Sequence, residues 1–187
     1  DESDHVRDWW HQRMGVGVSL GLRVLSITLH DAVFDDADVF ARAAQMGILL
    51  IPAAEVCLSG SDVILLNVRR QEIAELRNFD DLRKLRARRG DSLFAIAPHP
   101  FYVFSNSIGR RLLKEIDCFD AIEFCHLHKG LMNPNWIAAA VASRFRKRLI
   151  ATSDAHRRHA FGRKYTSIPR PGAPTGCAKN FAGSPVP

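Results

Sequence analysis

The sequence lacks paired cysteines, long apolar runs and the common phosphate-binding signatures, and each absence narrows what it can be. Its four cysteines, Cys57, Cys118, Cys125 and Cys177, form no C-x-x-C pair. Cys118 and Cys125 sit inside apolar segments, where a reduced thiol behaves as a small hydrophobe. This composition predicts a reducing, cytoplasmic setting. No apolar run approaches the roughly 18 residues of a membrane span, and no signal-peptide pattern opens the chain; the expectation is a soluble protein with no membrane partner. There is no G-x-x-x-x-G-K-[ST] loop, no G-x-G-x-x-G following a strand and no G-x-S-x-G elbow. The glycines of "GVGVSLG" precede a strand instead of following one, so a dinucleotide site is not indicated. Aromatics make up 9% of the chain and do not interleave with its basic segments, so a nucleic-acid-binding role rests on charge alone and is not favoured.

What is present is enough for one substantial core: 187 residues, 47% of them hydrophobic. The net charge of +6 is carried on helix-like stretches such as "LRKLRARRG" and "SRFRKRL", which read as solvated helix faces or as a surface that attracts phosphate-bearing ligands. Short apolar segments of strand type alternate with longer amphipathic ones. "RVLSITL", "ILLIPAAEV", "DVILLNV", "SLFAIAPHP", "FDAIEFC" and "RLIATSD" read as strands. "DDADVFARAAQMG", "RRQEIAELR", "FDDLRKLRARRG", "SIGRRLLKEI" and "NWIAAAVASRFR" read as helices, with acidic first turns and terminal glycines in several cases. This alternation predicts a parallel α/β sheet or barrel over residues 1–168. The remaining Pro/Gly-rich stretch, 169–187, reads as a poorly ordered tail.

The polar residues fall at the ends of the strands, where active sites of parallel α/β folds lie. "ITLHD" ends in His30 and Asp31, "IPAAEV" in Glu55, "IAPHP" in His99, "IEFCHLH" in His126 and His128, and "IATSDAH" in Asp154 and His156. Each alone has a structural reading as a hydrogen-bonded His, a paired carboxylate or a turn cap. Together they would repel and desolvate one another on one face unless a cation neutralised them. Mixed imidazole and carboxylate donors suit Zn, Mn or Fe.

The ordered set "ITLHDAV", "GILLIPAAEV", "IAPHPF", "FDAIEF" and "IATSDAH" resembles the PHP (polymerase and histidinol phosphatase) domain family over about residues 3 to 168. The resemblance implies a distorted (β/α)7 barrel around two or three divalent metal ions (Zn, Mn or Fe). It implies metal ligands at Asp4, His30, Glu55, His99, His126, Asp154 and His156. His5 matches nearly as well as Asp4 by spacing, and His128 is a weaker candidate than His126. It also implies an enzyme, a metal-dependent phosphoesterase in which Glu55 and Asp154 hold a metal-activated water. Lys129 and Arg157, with Arg158, would face the substrate phosphate, and a phosphorylated small molecule or nucleotide would be the substrate.

Two departures stand beside the resemblance. Leu29 replaces the acid of the family's T-D-H motif, with Asp31 as a substitute orienting carboxylate. The family's opening H-x-H pair has no counterpart, so the barrel reads as lacking its first strand, by truncation or by divergence. A non-catalytic PHP-like binding module with an incomplete metal site is the alternative function.

Overall fold

The fold was obtained as a computed structural model that describes residues 2–103, 105–125, 133–155 and 160–168, the side chains of residues 2–6 and 9 excepted. The chain opens with α1 (Glu2–Ser19). Trp10, Met14 and Gly17 recur at helical spacing along it and are buried. A Cβ added to Gly17 would meet Leu25 at 3.5 Å and Phe161 at 3.8 Å, so the helix lies close against the first strand at that point. Trp10 meets Phe161 edge to face with ring centroids 5.8 Å apart.

β1 (Val24–Leu29) turns back into the short β2 (Ala32–Val33), and α2 (Ala37–Gln45) follows. The Asp36 side chain caps α2 by accepting from the N–H groups of Asp38 and Val39. β3 (Leu49–Leu58) and β4 (Ser61–Leu66) form a hairpin, joined by Ser59 and Gly60. Both turn residues have positive φ, 51° and 78°, as a two-residue turn of primed type requires. Then come α3 (Arg70–Ala74), α4 (Phe79–Arg89), β5 (Phe94–Ala97), β6 (Ala121–Glu123), α5 (Asn135–Arg144) and β7 (Arg148–Ile150). All six strands read from the sequence are present.

The strand order is β2-β1-β3-β4-β5-β6-β7 in one seven-stranded sheet. β1 pairs parallel with β3, and β5, β6 and β7 pair parallel in turn, while β4 runs antiparallel to both its neighbours. The α/β class expected from the sequence is therefore present, but the sheet is mixed. Barrel closure is not seen among the described residues, where β2 and β7 end the sheet. The tight turn at Ser59–Gly60 is the reason for the mixed pairing, since a two-residue connection joins only antiparallel strands. "SIGRRLLKEI", expected as a helix, is instead two 3-10 turns, Gly109–Leu113 and Ile116–Cys118. Gly109 enters the first of them at φ 55°, where an α-helix cannot begin.

Alternation along the strands assigns each sheet face. Ala54, Val56, Val63, Leu65, Ala95, Ala97 and Ile122 turn to the main core, which Leu82 and Leu85 of α4 and Ala138 and Ala142 of α5 complete. Full burial of each such leucine contributes about 1.5–3 kcal/mol. Ile64, Ile96 and Ala121 turn to the opposite face, flanked by Leu66, Phe94 and Ile150. Asp120 fastens the main layer. It receives both terminal nitrogens of Arg86, at 2.7 and 2.8 Å, and the N–H of Ala95 at 2.8 Å. Burial opposes its ionised form, but Arg86 and the Ala95 N–H outweigh burial and hold its pKa below the usual value. The stability this lends is present above the ordinary carboxylate pKa and lost as pH falls through the lowered one.

No helix among the described residues is long and apolar enough to cross a membrane. The segment 169–187 lies outside the described residues.

Candidate metal centre

On the face that carries Ile64 and Ile96, the same alternation places Glu55 on β3 and Asp62 on β4. Glu55 lies opposite Ile64, and Asp62 lies opposite Cys57. Because β4 is reversed, its first residues reach the rim that β3 and β5 approach with their last ones. His99 follows β5 by two residues and completes the group. Its Nε2 lies 3.4 Å from Oε1 of Glu55 and 3.9 Å from Oδ2 of Asp62. Glu55, Asp62 and His99 are all buried, and one ligand atom from each lies within 4.8 Å of the others.

The electrostatics are those of a site short of positive charge. Burial, and next the Glu55 carboxylate, push the Asp62 pKa up, against the opposing pull of His99, Asn106 and His30. Burial disfavours a charged His99, yet its bond to Glu55 and the fields of Glu123, Glu55 and Asp62 outweigh that and raise its pKa. Two buried carboxylates and one imidazole are an N/O donor set that fits a divalent ion, and such an ion relieves the repulsion between the acids.

His99 is held in a conformation it would not choose. Its φ is 30°, in the left-handed region that only a few per cent of non-glycine residues occupy. Both its backbone groups are tied: Glu123 Oε2 accepts its N–H at 2.5 Å, and Ser107 Oγ donates to its carbonyl at 2.5 Å. Strain of this kind persists where surrounding contacts over-determine it, and it clusters at functional sites.

Glu123, 2% exposed at the end of β6, is the backing of the centre. Besides the His99 N–H it accepts the Thr152 hydroxyl. Burial raises its pKa, and nearby Asp154 adds to the rise, while its two donors and His99 oppose it. Just beyond, the buried Asn135 side chain accepts from the Cys125 N–H at 2.7 Å and donates to the Cys125 carbonyl at 2.8 Å. It thereby fixes the exit of β6 to the start of α5. Asn135→Ala is expected to cost about 2–3 kcal/mol, because two buried backbone groups lose their partner. Urea denaturation checks this, with an unchanged m-value showing that only stability moved.

The sequence-read residues divide as follows. Glu55 and His99 come together with Asp62. His30 pairs by a parallel bridge with Glu55 and acts electrostatically on Asp62, but its side chain is exposed and does not join the three-residue group. Asp31 was expected to orient a ligand; its carboxylate instead accepts the Cys57 N–H at 3.2 Å, and its own N–H donates to the Glu55 carbonyl at 2.8 Å. It steadies the backbone of β3. Asp154 follows β7 at φ 40° and lies near Glu123, outside the group. Asp4 belongs to α1, with its side chain outside the described part. His126, His128, Lys129, His156, Arg157 and Arg158 also lie outside the described residues.

A PHP-associated family model matches residues 133–175. No curated protein matches the chain. Among solved structures, a two-domain protein from Bacteroides vulgatus ATCC 8482 containing a predicted PHP-like metal-dependent phosphoesterase superposes with a TM-score of 0.58 at 22% identity, over 79% of this chain and 47% of that one. PsfC from Pseudomonas syringae PB-5123 superposes with a TM-score of 0.62 at 20% identity, over 82% of this chain and 71% of that one. At these identities the likeness is one of fold, and the chain spans less than half the length of the Bacteroides protein. The chain thus shares a PHP-associated segment at residues 133–175 and a fold with these two structures.

Proposed function

We propose that the protein is a metal-dependent phosphoesterase, hydrolysing a phosphomonoester or nucleotide. The observation that carries this reading is the convergence of buried Glu55, Asp62 and His99 on one rim of a PHP-like sheet. These three residues would hold a divalent ion, and on sequence grounds we assign His30, which acts electrostatically on Asp62, and Asp154, which acts on Glu123, to a larger cluster. A bound ion of this kind supplies Lewis-acid polarisation of a phosphoryl oxygen and a water acidic enough to attack near neutral pH. The chain's own part is to bring two carboxylates and an imidazole together out of water, to fix His99 by both its backbone groups, and to keep Glu123 behind it as an acceptor. Glu55 and Asp154 are the carboxylates we assign to holding the attacking water. Lys129 and Arg157 are assigned to the substrate phosphate on sequence grounds. On the same grounds we take the open sheet as that of a distorted (β/α)7 barrel. None of the three described cysteines forms a disulfide, which fits the cytoplasmic location proposed from composition.

The test is elemental analysis of the purified chain after extensive dialysis, followed by assay of p-nitrophenyl phosphate and a mononucleotide. At least one equivalent of Zn, Mn or Fe is expected, with hydrolysis that His99→Ala lowers by about 10³-fold, or ~4 kcal/mol. Less than half an equivalent of metal, or hydrolysis indifferent to His99→Ala, would sink the proposal.

A further inference from the structure

The loop after His99 returns to the ring of that residue. Ser105 Oγ lies 3.0 Å from His99 Nδ1, Ser105 and Ser107 share a hydrogen bond of 2.9 Å between their hydroxyls, and Ser107 Oγ donates to the His99 carbonyl at 2.5 Å. A neutral imidazole carries its proton on one nitrogen only, and a hydroxyl has one proton to give. The carbonyl at the end of the chain can only accept. Ser107 must therefore spend its proton on the His99 carbonyl, and so accepts from Ser105. Ser105, its proton committed to Ser107, is left as an acceptor toward Nδ1. The circuit thus runs in one direction, from Nδ1–H through Ser105 and Ser107 to the backbone of the same residue.

From this geometry we infer that Ser105 and Ser107 are positioning residues. They hold a proton on Nδ1 of His99 and leave Nε2, which meets Glu55 and Asp62, as the nitrogen that can ligate an ion. The inference rests on the reading of those three residues as ligands. The residue between the two serines acts on the second side of the site: the Asn106 side chain bonds the Asp62 carboxylate, and the Asn106 carbonyl accepts the Asp62 N–H at 2.8 Å. One tripeptide, Ser105-Asn106-Ser107, thereby orients two of the three donors. A metal-bound imidazole keeps its ligating geometry through the partner of its other nitrogen. Here that partner is a hydroxyl relay in place of the more usual carboxylate or carbonyl.

The probe is Zn²⁺ alone, titrated against a chromophoric chelator, with nitrogen-15 NMR of the histidine rings on the Zn-loaded protein. Ser105→Ala and Ser107→Ala are each expected to weaken Zn²⁺ binding about 10- to 100-fold. Ser105→Thr, which keeps the hydroxyl, restores affinity to within a few fold. The His99 ring of the parent chain shows a proton on Nδ1 that exchanges slowly with solvent, and Ser105→Ala speeds that exchange. Circular dichroism of the metal-free variants separates this from unfolding, and Ser107→Ala serves if Ser105→Ala fails to fold. Loss of Zn²⁺ in His99→Ala with unchanged affinity and ring spectra in both serine variants overturns the relay alone. Equal Zn²⁺ affinity in the parent chain and His99→Ala overturns the ligand reading and the relay with it.

Discussion

Asp62→Asn is expected to lower affinity for a divalent ion by more than 100-fold while leaving the metal-free chain more stable than the parent. The two effects share one cause. Asp62 is buried beside Glu55, and its pKa is raised by burial and by that neighbour. A carboxylate whose folded pKa lies above its unfolded value stabilises the fold when protonated, and this contribution is lost as pH rises through the raised pKa. At pH 8 the ionised acid is therefore a cost to the metal-free fold, and the isosteric amide removes it while still offering an oxygen to Asn106. Without metal, Asn at 62 should raise Tm by about 2–4 °C, or ~1 kcal/mol, at pH 8, with the difference vanishing toward pH 4. With metal the order reverses, because the amide has lost the charge that the ion requires. Thermal scans at both pH values, with and without Zn²⁺, give all four quantities. A metal-free Asn variant less stable than the parent at pH 8 would show that Asp62 is a structural acid and no ligand.

The second large effect is at Glu123. Glu123→Ala should destabilise the chain by about 3–5 kcal/mol, a fall of roughly 10 °C in Tm, and should weaken metal binding as well. The carboxylate is 2% exposed and serves two donors, the His99 N–H and the Thr152 hydroxyl. Its removal strands both of them. It also releases the bond that holds the His99 N–H, with that residue at φ 30°, so the imidazole no longer aims at Glu55. Glu123→Gln retains one acceptor oxygen and should cost about half as much. Thr152→Val strands no backbone group and should cost about 1 kcal/mol. Guanidinium denaturation of the three variants measures the series, and an Ala variant within about 0.5 kcal/mol of the parent would remove Glu123 from this role.

These two residues mark the limit of what the sequence discloses. Glu55 and His99 were legible because apolar strands run straight into them, and a polar residue closing such a strand has few structural reasons to be there. Asp62 was not, because looking for donors at the C-terminal ends of strands assumes that all strands point one way. The clue was present in the turn "SG" at 59–60: a two-residue connection reverses the chain, and the start of the next strand then shares the rim. Glu123 was hidden inside "FDAIEFC", which reads as one apolar strand. Only counting in twos separates it, with Ala121, onto the face opposite Ile122. The helix α1 is obscured in the sequence for a different reason. Its glycines at 15 and 17 suggest a turn, whereas the spacing of Trp10, Met14 and Gly17 is that of a packed helix face. Barrel closure is a property of strand tilt and of pairing between chain-distant edges, which no local pattern records.

The hairpin has a consequence for the order in which the centre is made. Glu55 and Asp62 share a single two-stranded unit, whereas His99 is 44 residues from Glu55 along the chain. Hairpins close in about 1–10 μs, well before pairings of long sequence separation. During folding, the acids therefore meet each other before the imidazole reaches them, and the nascent centre passes through a stage of two facing negative charges. A cation present in the medium at that moment acts on the folding route itself, lowering the electrostatic hill that the hairpin must climb before the rest of the sheet arrives.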